Sequence, residues 1–149
     1  MCAIVDANVI PEVFGDHRPE RGRILYEWLT RGRNGRLVVG GKLLHELSEY
    51  SRFRAWLSQA VLSGRARRIR DDLVDEETEV IRSTASFRSN DYHVIALARL
   101  SGARLLFTND RDLEQDFKDR SLVPSPRGRI YKSHDHRSLL HQTDLCPSP

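Results

Sequence analysis

The residues able to do chemistry in this chain are acids placed just beyond apolar runs. Ala3-Ile4-Val5 ends in Asp6, followed by Asn8. Leu37-Val38-Val39 is closed by Gly40-Gly41, and Glu46 comes about one helical turn after Gly41. Leu105-Leu106-Phe107 runs straight into Thr108, Asp110 and Asp112, while Asp91 opens the segment that feeds this last run. Neighbouring strands lie only ~4.8 Å apart, so acids trailing adjacent parallel strands share one sheet edge. Two carboxylates ~4 Å apart repel by ~4 kcal/mol at an effective dielectric of 20. A cluster of four must hold protons above the ordinary carboxylate range or recruit a cation. Oxygen donors without His or Cys favour Mg²⁺ or Mn²⁺ over Zn²⁺. Such an ion can hold a phosphate, acidify a water and stabilise a leaving oxygen, so the chemistry expected is metal-dependent phosphodiester hydrolysis.

Bringing those acids together requires alternating strands and helices. The spacing predicts a helix over 20–31, with Ile24, Leu25, Trp28 and Leu29 on one face and Gly32 and Gly35 ending it. Leu43, Leu44, Leu47, Tyr50, Phe53, Leu57 and Val61 recur at three or four, with a break near Ser51 that makes two helices, the second ended by Gly64. Residues 66–69 read as a short edge strand. Asp75 is expected to cap a helix running to about Phe87. Another helix starts near Asn90 or Asp91 and stops at Gly102, and a short one covers 111–118. This alternation predicts an α/β fold, a three-layer α/β/α sandwich around a mostly parallel sheet. In such sheets ligands bind beyond the carboxyl ends of the strands, where strand order reverses. One domain is expected over 1–123, followed by an extension over 124–149 that docks in part through Ile130-Tyr131 and Leu139-Leu140 and frays at its end.

A chain of 149 residues carries one hydrophobic core. It contains no stretch near the ~18 apolar residues of a membrane span, and Asp6 interrupts the first apolar run, so a soluble cytoplasmic protein without a leader is expected. Cys2 and Cys146 lie near opposite ends, and no disulfide framework is expected from them. Arg makes up 21 of the 24 basic residues, and residues 1–70 hold 13 basic against 7 acidic side chains. Arg offers phosphate a planar fork of donors where Lys offers a point charge. With pI ≈ 9.1, this composition points to nucleic acid as a partner. The dense run Arg65, Arg67, Arg68 and Arg70 is the candidate strip for RNA phosphates, with the salt dependence such contacts bring.

Taken in order, Ile4-Val5-Asp6-Ala7-Asn8-Val9-Ile10, His45-Glu46-Leu47, Asn90-Asp91-Tyr92-His93-Val94-Ile95-Ala96-Leu97-Ala98 and Thr108-Asn109-Asp110-Arg111-Asp112-Leu113 resemble the four acidic motifs of PIN-domain nucleases. The resemblance covers roughly residues 3 to 118. It implies that Asp6, Glu46, Asp91 and Asp110 are the catalytic, metal-binding quartet, that Asp112 is an auxiliary fifth acid, and that Asn8 and Thr108 orient carboxylates and water. Small single-domain members of this kind are often VapC-type toxins of toxin–antitoxin modules. They are endoribonucleases that use Mg²⁺ or Mn²⁺ and commonly form homodimers, with an antitoxin protein as partner. Leu113 stands where an aromatic is common in the last motif, and the segment from Gly128 to Leu140 extends past the minimal domain.

The rival reading is a catalytically silent PIN-like module that binds RNA or protein without holding metal. A receiver-type phosphoryl-transfer domain would need a Lys after the last strand, and none follows Phe107 within ten residues. His134, Asp135 and His136 imitate a zinc motif but sit in a polar tail. No Gly-x-Ser-x-Gly elbow supports a hydrolase triad, and Gly40-Gly41-Lys42 lacks phosphate-loop spacing. Trp28 and Trp56, on apolar helix faces, are expected in the core.

Overall fold

The computed structural model describes residues 2–84 and 86–141. In chain order the elements are β1 (Cys2–Val5), α1 (Ile10–Phe14), α2 (Glu20–Thr30), β2 (Arg36–Gly40), α3 (Gly41–Ser48), α4 (Ser51–Leu62), β3 (Ala66–Ile69), α5 (Asp71–Thr84), α6 (Tyr92–Ser101), β4 (Leu105–Phe107), α7 (Arg111–Lys118) and β5 (Arg129–Ile130). Short 3₁₀ turns cover Ala7–Val9 and His134–His141. The five strands form one sheet in the order β3-β2-β1-β4-β5, and every pairing is parallel. The architecture is the expected α/β/α sandwich.

The three central strands are short and apolar because helices cover both faces of a parallel sheet. Ile4, Val5, Leu37, Val38, Val39, Leu105 and Leu106 are all fully buried. Register pairs Ala3 with Leu105 and Val5 with Phe107, so β1 and β4 end level with each other. The chain steps outward from β1 to β2 to β3, then crosses back to lay β4 on the other side of β1. The reversal of strand order therefore falls between β1 and β4. Asp6 follows one of these strands and Thr108 follows the other.

One glycine at each edge of the sheet sets a helix end. Gly41 opens α3 at φ +56°, and an added Cβ would meet Val74 Cγ1 at 2.7 Å. Its N–H donates to Asp71 Oδ1 at 3.0 Å. Gly102 ends α6 in the left-handed region at φ +78°. On the side of α1 and α4, Phe14 packs edge-on against Tyr26 and Phe53 and lies 5.0 Å from the Trp56 ring. Trp28 is buried, and Trp56 is half-buried against the core.

Three expectations need correction. The helix assigned to start at Asp75 begins four residues earlier, at Asp71, and Asp75 lies one turn inside it. Asp71 and Asp72 already put acids at the positive end of that helix. Residues 7–14, given no element from sequence, form the 3₁₀ turn and α1, because Pro11 sits favourably at a helix start. Cys2 is disulfide-bonded rather than a free thiol; the other cysteine, Cys146, and the frayed end expected for residues 142–149 lie outside the described residues.

Residues 124–141 add to the same body. β5 extends the sheet beyond β4, and the Tyr131 ring stands edge-on to Phe107, 5.5 Å between centroids. The Tyr131 hydroxyl donates to the Arg21 carbonyl at 2.6 Å, and the Trp28 indole N–H donates to the Leu140 carbonyl at 2.9 Å. Among the described residues no helix is long and apolar enough to cross a membrane.

Candidate functional site

Asp6 is buried at the end of β1, where its backbone N–H continues the ladder to the Phe107 carbonyl at 2.9 Å. Its two carboxylate oxygens are held separately. The Ala7 N–H donates to Oδ1 at 2.8 Å and the Thr108 hydroxyl donates to Oδ2 at 2.7 Å. The same Thr108 oxygen accepts from the Asp110 N–H at 3.0 Å. One fully buried hydroxyl thus ties the acid after β1 to the acid after β4. Asp110 in turn caps α7, accepting from the N–H groups of Asp112 and Leu113 at 2.9 and 3.2 Å.

Asp91 stands at the start of α6 and gives that helix no side-chain capping bond. Its place is set from α7. The buried Asp116 carboxylate accepts from the Arg88 and Ser89 N–H groups and from the Ser89 hydroxyl at 2.8 Å, and Ser89 Oγ accepts from the Asp91 N–H. Glu46 projects from α3, whose start is anchored to Asp71 through Gly41.

The electrostatics show that the four acids share one region. Burial pushes the Asp91 carboxyl up to about 6, helped by the charges of Asp6, Asp110 and Glu46 and by a hydrogen bond to Asp110 that favours the protonated form. Burial also raises Asp6, with Asp110 adding to the rise and the bonds from Thr108 and Ala7 opposing it. Glu46 is raised by burial and by Asp6 and Glu49, against the pull of Lys42. Among the described residues no Lys or Arg forms an ion pair with any of the four. Beside Glu46, His93 is buried on α6 with Nε2 3.1 Å from Glu46 Oε1. Burial and Lys42 push His93 down to about 4, so it is neutral at pH 7 and the contact is not an ion pair.

The donor set is of the kind a hard divalent cation takes: carboxylate oxygens with no ion pair to Lys or Arg among the described residues, although the charge of Lys42 acts on Glu46. The cage is not closed. Among the described residues no three His, Cys, Asp or Glu side chains converge closely enough to hold a metal ion.

The other sequence candidates fall into place differently. Asp112 is exposed in the first turn of α7. Asn8 is exposed and accepts from the Asn109 N–H at 3.4 Å, so it holds the loop after β4 rather than a carboxylate. The arginine run does not present four free heads. Arg65 donates to the Leu29 and Gly32 carbonyls, Arg67 to the Ser101 carbonyl, Arg68 pairs with Asp71 at 3.5 Å and Arg70 with Asp72 at 2.6 Å. A cavity of about 220 Å³ opens beside His93, between Lys42 on α3, Glu79 and Arg82 on α5, and Asn90 and Tyr92.

Sequence reasoning missed two supports. Asp116 fixes the turn before Asp91. Arg21 forks onto Glu12 at 2.9 and 2.7 Å and reaches Asn109 Oδ1 at 3.0 Å, linking α1 and α2 to the loop that carries Asp110. No protein-family model, no curated protein and no solved structure matches the chain.

Proposed function

We propose that this protein is a metal-dependent endoribonuclease of the PIN-domain kind, with Asp6, Glu46, Asp91 and Asp110 binding Mg²⁺ or Mn²⁺. One observation supports the reading: four carboxylates from four elements act on one another's charge at the edge where strand order reverses and, among the described residues, none forms an ion pair with Lys or Arg, the charge of Lys42 acting on Glu46 alone. A purely structural cluster would lower its energy by pairing with Arg.

When bound, such an ion acidifies a water and offsets charge on the phosphoryl oxygens. The chain's own residues supply the rest. Thr108 holds the Asp6 carboxylate in one orientation and keeps Asp110 level with it. Asp91, whose proton is held up to about 6 by burial and by its acidic neighbours, would give it up in favour of a cation that neutralises them and serve as a ligand. The adjoining cavity is lined by Lys42 and Arg82 and also by Asp75 and Glu79, with Arg82 3.7 Å from Glu79, which leaves Lys42 as its cation for a polynucleotide. Arg68 and Arg70 reach phosphate only by leaving Asp71 and Asp72.

The basic, Arg-rich composition supports RNA as the substrate. With the sequence resemblance, it supports a VapC-type toxin acting in the cytoplasm as a homodimer, restrained by an antitoxin protein. The open spacing of the acids favours a second reading, a silent module that binds RNA or protein without metal. Incubating a labelled structured RNA with purified protein, with Mn²⁺ or with EDTA, separates them. Cleavage that requires Mn²⁺ and is lost in Asp6→Asn is expected. Full cleavage by Asp6→Asn, contamination excluded, overturns the proposal, and so does an inert wild type without saturable Mn²⁺ binding.

A further inference from the structure

Two side-chain atoms among the described residues are buried with no hydrogen-bond partner: Glu46 Oε1 and His93 Nε2. They face each other at 3.1 Å, so direction, not distance, keeps them from bonding. Folded proteins seldom leave such atoms unpaired, and a pair of them on one contact calls for a reason. The two partners differ in freedom. His93 lies in the first turn of α6, a helix whose next five residues are all buried, and its side chain is 7 % exposed. Glu46 is 38 % exposed and belongs to the charged cluster. The imidazole is therefore the fixed member and the carboxylate the one that turns.

We propose that His93 is a positioning residue for Glu46: in its Nε2–H form it takes hold of Oε1 when the carboxylates draw together on a divalent cation, leaving Oε2 as the oxygen offered to the ion. The inference rests on the metal-dependent reading above. In the present arrangement the contact is close but misdirected, with the charges of Lys42, Asp6 and Glu49 all acting on the Glu46 carboxylate. The inference also gives a buried histidine beside the carboxylates a task other than ligation. Groups that orient a ligand in this way typically change metal affinity 10–100-fold when removed.

Mn²⁺ titration calorimetry on the full chain, with melting curves in EDTA, tests it through His93→Leu, His93→Gln and His93→Asn. A glutamine amide reaches the Nε2 position, whereas an asparagine amide reaches only Nδ1. Wild type and His93→Gln are expected to bind Mn²⁺ within about threefold of each other. His93→Leu and His93→Asn should bind at least tenfold more weakly, and His93→Leu should melt in EDTA no lower than wild type. Equal Mn²⁺ affinity in the Gln and Asn variants overturns the assignment of His93 while leaving the metal site standing. Absence of Mn²⁺ binding in wild type overturns the metal reading and this inference with it. If His93→Leu fails to fold, the Gln and Asn pair still decides.

Discussion

Replacing Asp91 by Asn should stabilise the metal-free protein at pH 7 and leave it unchanged near pH 4. The folded state holds the Asp91 proton up to about 6 against an ordinary value of 3.8, a difference of about two pH units. At 1.36 kcal/mol per unit that is ~3 kcal/mol. Asp91 is only half-buried, so solvent and salt screen the neighbouring charges, and roughly half, ~1.5 kcal/mol, is the fair figure. An acid at a helix start also gains ~0.3–1 kcal/mol from the helix dipole, which Asn forfeits. No capping bond is lost, because the Asp91 side chain makes none to α6. The net gain is ~1 kcal/mol, or about 2–4 °C in melting temperature for a chain of this size. The sign follows from the raised value. Below about pH 4 both folded and unfolded wild type are protonated at this position and nothing is lost. As pH climbs toward 6 the unfolded chain ionises while the folded one resists, so wild-type stability falls and that of the variant does not. Scanning calorimetry of both proteins from pH 4 to 8, in low salt with EDTA, should show the melting curves separating between pH 4 and 6.5. A difference that is flat with pH, or a variant less stable than wild type at pH 7, would refute the view that Asp91 sits in an uncompensated acidic cluster.

Mn²⁺ binding should strengthen from pH 5 to 7 and, at pH 5.5, release on the order of one proton, read by calorimetry in two buffers of different ionisation enthalpy. No proton release at pH 5.5 would place the ion away from Asp91. Asp116→Leu removes the acceptor for Arg88, Ser89 N–H and Ser89 hydroxyl and should cost ~2–4 kcal/mol in urea unfolding, Asp116→Asn less; a loss under ~0.5 kcal/mol would mean the turn before Asp91 is held by other contacts. Tyr131→Ala should cost ~3–5 kcal/mol through its buried ring against Phe107, while Tyr131→Phe loses only the bond to the Arg21 carbonyl, ~1 kcal/mol. Equal losses in the two variants would show that the ring contributes little.

Much of the architecture is legible in the sequence because the signals are local. Apolar runs of three residues mark β1, β2 and β4, and 3.6-residue spacing marks α2, α3, α4, α6 and α7, whereas β5, two residues long, has no apolar run of its own. What misleads is choice among equivalent signals. Asp71, Asp72 and Asp75 could each open α5, and the Asp71 side chain instead caps the neighbouring α3 through Gly41. The arginine run misleads for a different reason. Composition counts guanidinium groups but does not show the Leu29, Gly32 and Ser101 carbonyls that occupy them. Asp116 and Arg21 stay hidden because they act on residues 27 or 28 and 88 positions away, a pairing no periodicity encodes. That Asp6 and Asp110 lie beyond the ends of adjacent strands is legible from the sequence, but the orphaned contact between Glu46 and His93 is not.

The distribution of arginine bears on why the quartet is tolerated. The chain has 21 arginines, and acids elsewhere take basic partners freely: Glu12 pairs with Arg21 at 2.7 Å, Asp72 with Arg70 at 2.6 Å, Glu77 with Arg99 at 3.1 Å and Glu114 with Lys132 at 2.9 Å. Arg21 even contacts Asn109, the residue between Thr108 and Asp110, yet spends its fork on Glu12. A cation is thus held next to the site and turned away from it. Neutralising the quartet with one more guanidinium would cost little in a protein so rich in them, and would remove ~1 kcal/mol or more of repulsion per acid. On the metal-dependent reading proposed above, a fold that matches its acids elsewhere but leaves Asp6, Asp91 and Asp110 without an ion pair at the reversal of strand order would take its positive charge there from a bound cation.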